Sequence, residues 1–400
     1  MAIRGEYTED EKKMISQVEE LRGKVTYAGE VMTPDNMYPV FYGEISRSAI
    51  RRFCEAIGDE NPLFRDAEYA RFTRWGGIIA PPMFLNCITA TFGAPHMLRL
   101  PDSLILLTLL NVGSTVNWYK PLRLDDSFVV KDVWYSGFED KTRKDGKGPR
   151  TLFATSDRLY YNQSGELAAL AKRKRFYVIA PKPKEGEAPP RASSMPMLKP
   201  YVYSDEELEW IYRVYDKEEI RGGEPRFWED VNVGDDLIPV VDGPRDIWHI
   251  MHAFEFTEFT PNALLTRKRW KRAGVNMPVG FRDPVTNLPR QGGEVHLDNW
   301  TAQKMGVPLA IGFGVQNDFA LGRLLTNWMS DEGFLKKYES QNRIIDPLGD
   351  TMFGKGKVIK KYEEDGEHLV DIAVWCECIR GYIAAMGTAT VVLPSRTRVI

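Results

Sequence analysis

Two parts of the chain repeat one another, and this internal repeat restricts the fold more than any other feature of the sequence. The stretch 58–83 resembles the stretch 290–315, so that Asp66 falls on Asp298 at an offset of 232. A repeat at this spacing indicates two diverged copies of one structural unit. We therefore predict a fold that contains the same unit twice.

Two weaker matches lie on either side of this stretch. A turn at 120–126 is matched by 346–350 at an offset of 226, and an apolar helical stripe at 50–57 is matched by 247–254 at an offset of 197. Four hundred residues are comfortable for two domains. We assign residues 1–180 to an N-terminal domain, 181–224 to a linker and connecting helix, and 225–400 to a C-terminal domain.

Each copy begins with helical periodicity and ends with strand periodicity. The apolar segments Met83–Phe92 and Val315–Trp328 predict buried central helices. Runs rich in β-branched and aromatic residues follow each of them. They predict antiparallel strands at Leu104–Val112, Ser114–Tyr119, Phe128–Ser136, Arg150–Tyr161, Leu167–Ile179, 354–363, 367–379 and 381–393. Helices followed by runs of strands indicate an α+β fold.

Charge and composition exclude several classes of protein. A net charge of -3 gives no reason to expect a nucleic-acid partner, and no apolar run reaches the length of a membrane span. The N-terminus has no signal-peptide core. The four cysteines have no metal-binding spacing, so no metal is expected. We expect a cytoplasmic protein.

One of the five histidines, His296, lies in the glycine-rich stretch 292–298 shortly before the second apolar helix. That helix begins near Gly314. An imidazole for proton transfer and a backbone N–H for an oxyanion are the groups that acyl chemistry needs. His296 and Gly314 are therefore predicted to act together.

The stretch Phe53–Leu63 with Asp66 and Ala70 resembles the hydratase motif of MaoC-like (R)-specific enoyl-CoA hydratases and acyl dehydratases. His296, Asp298 and Gly314 resemble the later part of the same motif. The resemblance covers about 40–180 and 225–395. It implies a double hot-dog, in which two antiparallel sheets each wrap a buried helix and join side by side. In that family an aspartate and a histidine five residues later act on water across an acyl-CoA double bond, while a glycine N–H holds the thioester oxygen.

The first copy departs from this motif at two positions. Asp59 and Asn61 match it, but Phe64 occupies the histidine position and Pro82, which has no N–H, occupies the glycine position. The first copy is therefore predicted to be non-catalytic. Its Phe64 side is expected to be closed or to hold the acyl chain, with Asp59 and Asn61 as substrate-binding candidates.

The second copy keeps His296 and Gly314 but has Gln291 where the family has its acid. We hypothesise that Glu294 replaces the aspartate, with a pKa raised by burial beside apolar neighbours. The rival is that His296 works with a water held by Gln291. Asp298 is expected to position the loop or bind substrate. More distant candidates for the acid are Asp283, Glu258 and Asp59.

A basic run at 266–272 carries Arg267, Arg269 and Trp270, which are candidates for binding the phosphates of CoA. Three functions remain open: a hydratase or dehydratase of acyl-CoA, a hot-dog thioesterase, and a non-catalytic acyl-CoA-binding subunit. The expected partner is an acyl-CoA substrate without a separate cofactor. The chain is expected to form a homodimer.

Overall fold

The computed structural model describes residues 6–28, 43–88, 98, 100–143, 145, 148–183, 198–256, 282–288, 290 and 292–397. Several predicted features lie outside these residues. They are Gln291, Arg267, Arg269, Trp270, Glu258, the end of the first central helix, and most of the linker.

The described chain contains nine helices and ten strands. The helices are α1 Glu9–Leu21, α2 Arg47–Ile57, α3 Pro62–Arg65, α4 Ala67–Arg71, α5 Leu85–Ile88, α6 Asp205–Tyr215, α7 Ile247–Glu255, α8 Asn299–Lys304 and α9 Gly314–Met329. The strands are β1 Val25–Ala28, β2 Leu104–Trp118, β3 Phe128–Asp140, β4 Arg150–Asn162, β5 Leu167–Pro181, β6 Val240–Asp242, β7 Phe334–Asn342, β8 Met352–Glu364, β9 Glu367–Cys378 and β10 Ile383–Val392. Short 3-10 turns occur at Pro82–Phe84, Trp228–Asp230 and Gly292–His296. No described helix is both long and apolar enough to span a bilayer.

All ten strands belong to one antiparallel sheet with the order β1-β3-β4-β5-β2-β7-β10-β9-β8-β6. The first copy contributes one half and the second copy the other. They join where β2 pairs with β7, from Gly113 opposite Gln341 to Asn117 opposite Lys337. This confirms the predicted α+β double hot-dog, in which strands continue from one copy into the next.

The central helix of the second copy is enclosed by the protein. Every residue from Val315 to Met329 is buried, including the polar Asn317, Asp318 and Arg323. In the first copy the equivalent segment is the turn Pro82–Phe84 followed by α5, and its Met83–Phe84 and Leu85–Ile88 are buried. The two helical segments lie in a shared apolar core.

Helix α1 covers part of the half-sheet that the first copy contributes. It starts with a capping box at Thr8 and buries Met14 and Val18 among side chains of β2 to β5. Glu11 accepts hydrogen bonds from Arg150 on β4 at 3.0 and 3.1 Å. The long strands of the first copy therefore gain a second cover beyond the central helix.

Backbone hydrogen bonds that recur in both copies give their true alignment. The N–H of Ala80 donates to the carbonyl of Leu122 at 2.7 Å, and the N–H of Gly312 donates to the carbonyl of Asp346 at 2.6 Å. The next pair of bonds runs from Leu124 to Ile78 and from Leu348 to Ala310. The helical part of the repeat keeps the offset of 232, but the turn is offset by 224. The predicted offset of 226 is wrong.

The helix before the motif also needs a corrected alignment. Ile45 N–H donates to Asp126 and Arg245 N–H donates to Asp350, at 2.9 and 3.0 Å, and the next residue in each copy is the helix N-cap. The offset here is 200, so the predicted value of 197 is wrong. Ile247 and Met251, which belong to the apolar stripe at 247–254, are 46% and 39% exposed.

The strand predictions missed the short β1 and β6, and they failed at two further places. The break predicted in the first strand does not exist, because Gly113 lies inside a continuous β2 where the backbone of Ser340 leaves no room for a side chain. Strand β7 was missed altogether. Its alternating burial depends on only a few apolar residues, such as Leu335 and Tyr338, among lysines and other polar residues.

Candidate functional site

His296 ends the 3-10 turn Gly292–His296 and packs against the segment that leads into α9. Its Nδ1 lies 3.0 Å from the carbonyl oxygen of Ile311. Its ring makes edge-to-face contacts with Phe254 and Phe313, with ring centroids 5.8 and 5.0 Å away. Because a carbonyl can only accept, Nδ1 carries the proton and Nε2 carries the lone pair of the neutral ring.

Burial lowers the pKa of His296 to about 4, although hydrogen bonding to the backbone of Ile311 and Gly312 favours the protonated form. The imidazole is therefore neutral near pH 7. A neutral imidazole can accept a proton, and the two carbonyls help to stabilise the imidazolium that forms.

Gly314 is the first residue of α9, close to where the apolar run predicted the start of this helix. N–H groups at the start of a helix point out of its end and can bind an oxyanion. In α9 the Gln316 N–H is already engaged, because it donates to the Phe313 carbonyl at 2.7 Å. A side chain at Gly314 would come within 2.9 Å of the amide nitrogen of Asn342 on β7. The preceding Phe313 N–H is satisfied by the side chain of Gln316 at 2.9 Å. The structure thus brings His296 to the start of a buried helix.

Glu294 has surroundings other than those predicted. Its carboxylate accepts from Arg290 at 2.6 Å, and the same guanidinium donates to Asp283 at 2.6 Å. Sequence reasoning expected an apolar environment and did not consider Arg290 at all. The guanidinium instead joins Glu294 to the segment that precedes it.

Asp298 is the N-cap of α8. Its two carboxylate oxygens accept from the N–H of Thr301 at 2.7 Å and from the Thr301 hydroxyl at 2.8 Å. In the first copy Asp66 caps α4 in the same way, through the N–H groups of Glu68 and Tyr69. This geometry favours the loop-positioning role of Asp298 over contact with a substrate.

Asp59 and Asn61 belong to the first copy's version of the site. Asp59 is 1% exposed, and its Oδ1 accepts from the N–H of Asn61 at 3.0 Å. Asn61 caps α3 and donates to Asp331 of the second copy at 3.3 Å. Burial raises the pKa of Asp59 to about 6, against the opposing effects of the Asn61 hydrogen bond and of Arg323. The substrate-binding role predicted for both residues stays a prediction.

Phe64 and Pro82, the first-copy counterparts of His296 and Gly314, line a small, mostly apolar cavity of about 30 Å³ that is partly open to solvent. Trp75, Trp118 and Met329 are among its other walls. Phe64 has no nitrogen to accept a proton and Pro82 has no N–H to donate, so neither can act as is predicted for His296 and Gly314. The expectation that this side is closed or holds the acyl chain stays a prediction.

Sequence reasoning also missed a buried polar network beside His296. Arg245 is fully buried and contacts Asp346 at 2.5 Å, Asn317 at 2.9 Å and Asp242 at 2.7 Å. Asp346 had been noticed only as part of a repeated turn. An arginine just before a helix cap gives no sequence signal that its side chain turns inward.

Comparisons with known proteins agree with the repeat. A family model described as "FAS1-like, dehydratase domain region" matches residues 36–171, which is the first copy. A UPF0336 protein from Streptomyces griseus subsp. griseus is 31% identical over 106 residues, covering 26% of this chain and 67% of the relative. A UPF0336 protein from Parafrankia sp. is 45% identical over 94 residues, or 22% of this chain and 60% of the relative. A UPF0336 protein from Streptomyces avermitilis is 38% identical over 64 residues, covering 16% of this chain and 39% of the relative. This chain thus spans less than two thirds of the last two relatives.

Solved structures share the fold over nearly the whole chain. A MaoC-like dehydratase superposes with a TM-score of 0.55 at 14% identity, covering 94% of this chain and 99% of that one. A MaoC domain protein dehydratase from Chloroflexus aurantiacus gives 0.52 at 12% identity, with coverages of 94% and 96%. A MaoC-like dehydratase from Phytophthora capsici gives 0.52 at 11% identity, with coverages of 95% and 98%. The chain therefore has the double hot-dog fold of MaoC-like dehydratases, and by its similarity to the Streptomyces griseus protein it belongs to the family of UPF0336 proteins.

Proposed function

We propose that the protein is a hydratase or dehydratase that interconverts a 3-hydroxyacyl thioester and a 2-enoyl thioester, with CoA as the carrier. The observation that carries the proposal is the position of His296, whose Nδ1 is held by the Ile311 carbonyl while its ring packs on the residue before Gly314. A histidine beside the start of a helix supports this chemistry, because the reaction needs a proton acceptor and N–H donors for an oxyanion.

In the dehydration direction, Nε2 of neutral His296 takes the proton from the carbon next to the thioester carbonyl. Negative charge develops on the thioester oxygen, and N–H groups of the first turn of α9 stabilise it. The carbon–oxygen bond of the 3-hydroxyl then breaks. The imidazolium returns its proton to the leaving hydroxyl, so one water is released and His296 is neutral again.

The network around Glu294 supports this version, in which one histidine shuttles the proton. The described carboxylates close to His296 in sequence are already engaged, Glu294 by Arg290 and Asp298 by Thr301. A thioesterase of the hot-dog type needs a carboxylate to activate water, and these engagements do not favour that alternative.

The test is to incubate the protein with 2-enoyl-CoA and 3-hydroxyacyl-CoA of several chain lengths and to follow the gain or loss of water by mass. Wild type should interconvert the two, and His296→Gln should lower kcat/KM by about 10²–10⁴-fold. His368→Gln, on strand β9, is the matched control and should leave turnover unchanged. Release of free CoA would indicate a thioesterase instead, and binding without any conversion would indicate a non-catalytic acyl-CoA-binding protein.

A further inference from the structure

The network of Arg245, Asp346 and Asn317 holds the two segments that build the proposed site. Arg245 donates to Asp346 at 2.5 Å and to Asn317 at 2.9 Å. The backbone carbonyl of Asp346 accepts the N–H of Gly312 at 2.6 Å, and Asn317 lies in the first turn of α9. The guanidinium of Arg245 therefore connects the segment Ile311–Gly314, which contacts His296, with the first turn of α9.

Gly312 makes this connection tight. A side chain at Gly312 would collide with the carboxylate of Asp346, so the backbone of the segment lies directly on that carboxylate. The residues on either side of Gly312 are those that touch His296: the Ile311 carbonyl accepts from Nδ1, and the Phe313 ring packs against the imidazole. A displacement of Asp346 would therefore move both the Ile311 carbonyl and the Phe313 ring relative to His296.

The first copy serves as an internal comparison. The shared backbone hydrogen bonds align Arg245 with Ile45 and Asp346 with Leu122, and the motif offset aligns Asn317 with Leu85. These three first-copy residues are 0%, 2% and 2% exposed and belong to the main apolar core. The same fold is thus built with an apolar trio in the copy that has Phe64 and Pro82, and with a polar trio in the copy that has His296 and Gly314.

This difference speaks against a purely structural role for the polar trio. Removing charges from water is costly, and well-packed apolar residues in place of a buried ion pair are often neutral or stabilising. Burial raises the pKa of Asp346 against the pull of Arg245, which reflects the same cost. The first copy demonstrates that the fold does not need the ion pair.

We propose that Arg245, acting through Asp346 and Asn317, is a positioning residue that fixes the Ile311–Gly314 segment relative to His296 and so aligns proton transfer with the oxyanion-binding helix start. The inference rests on the proposed function. It adds that the positioning depends on a polar network outside the hydratase motif.

The test transplants the first-copy trio into the second copy with Arg245→Ile, Asn317→Leu and Asp346→Leu together. Asp242, the remaining partner of Arg245, has a side chain that is 21% exposed and keeps access to water. We expect a folded protein with a melting temperature close to that of wild type and a kcat about 100-fold lower, because a displacement of about 1 Å can cost that much. KM should change much less than kcat.

The matched control removes another buried ion pair, Arg158 with Asp132 at 2.6 Å, by Arg158→Met with Asp132→Leu. This pair lies on β3 and β4, which β5 and β2 separate from the second copy in the sheet. Turnover of this variant should equal that of wild type. Equal losses of kcat in the control and in the trio variant, or a folded trio variant within threefold of wild type, would overturn the proposal.

Two further measurements keep the result decisive. If the trio variant does not fold, Asp346→Asn takes its place. It should lower kcat at least tenfold with little change in melting temperature, and a wild-type kcat would overturn the inference.

The second measurement is an NMR titration of the His296 imidazole, which needs no substrate. His296→Gln identifies its signal. Its pKa should rise from about 4 toward the value of a solvated histidine in the folded variant. A shift in a protein that converts no thioester would refute the proposed function alone, whereas an unchanged titration with unchanged turnover would refute the positioning role alone.

Discussion

At the scale of single residues, Arg290 determines what the acidic side chains near His296 can do. Its guanidinium lies 2.6 Å from Glu294 and from Asp283, and 3.7 Å from Asp298. An arginine that joins three carboxylates anchors the turn that carries the histidine. The hypothesis that Glu294 replaces the family's aspartate required an apolar environment, and the observed ion pair is better suited to holding the loop.

We therefore expect Glu294→Gln to keep the shape of the pH–rate profile and to lose less than tenfold in kcat, because the histidine does the proton transfer. Arg290→Gln should cost more, since it releases three partners at once. Steady-state kinetics from pH 5 to 9 measures both variants. Loss of one limb of the profile in Glu294→Gln would restore the glutamate as the missing acid.

Asp59 gives a prediction on stability. Its pKa is raised to about 6 in the fold, from 3.8. The folded state therefore holds the proton more tightly, so the contribution is fully present below about pH 4 and is lost as pH rises through about 6. The free energy of unfolding of wild type should lose about 3 kcal/mol over this range from Asp59 alone, at roughly 1.4 kcal/mol per pKa unit.

Asp59→Asn removes this titration. The free energy of unfolding of the variant minus that of wild type should increase between pH 4 and pH 6.5, as measured by urea unfolding at several pH values. Taking the difference cancels the other titrating groups, which both proteins share. A difference that does not vary with pH would show that Asp59 titrates as in the unfolded chain.

At the scale of elements, the sequence predicts the helices and strands that have a strong hydrophobic periodicity. The apolar stripe at 50–57 predicted a helix, and α2 is observed there between its N-cap Ser46 and its C-cap Gly58, which is left-handed at φ 66°. Most strands were placed within a few residues. Strand β7 was missed because its apolar content is low: its buried residues are Leu335, Tyr338 and Ser340, and lysine, glutamate and glutamine residues alternate with them.

The same scale explains which part of the site could be predicted. His296 and Gly314 follow from a local motif, because both lie within one short stretch of chain. Arg245 and Asp346 are 101 residues apart and meet only in the folded protein. The sequence alignment of the two copies was also wrong by two or three positions at the segments that carry Arg245 and Asp346. The replacement of the polar trio of the second copy by the apolar trio of the first copy could therefore not be seen from the sequence.

At the scale of the whole molecule, both copies depend on the pairing of β2 with β7. Two glycines flank β7 at this junction: side chains at Gly113 on β2 or Gly387 on β10 would collide with the backbone of Ser340 or Glu339. Both glycines therefore allow the close approach of neighbouring strands rather than a turn.

Gly113→Ala should lower the free energy of unfolding by about 1–3 kcal/mol, the usual cost of overpacking a well-packed interior. Thermal and urea unfolding measure the effect. Gly77→Ala is the control, because a side chain there meets no atom within 4 Å and the backbone needs no left-handed conformation. Equal stabilities of the two variants would mean that the junction can widen at little cost.

The order of the strands also bears on how two such chains could associate. The described sheet ends in β1, with four residues, and β6, with three. Short terminal strands offer few unpaired backbone groups to a further strand, and this protects a sheet from edge-to-edge aggregation. A dimer of this protein should therefore form through side chains on its helices or sheet faces, and its affinity should respond to surface substitutions there rather than to changes at the sheet's ends.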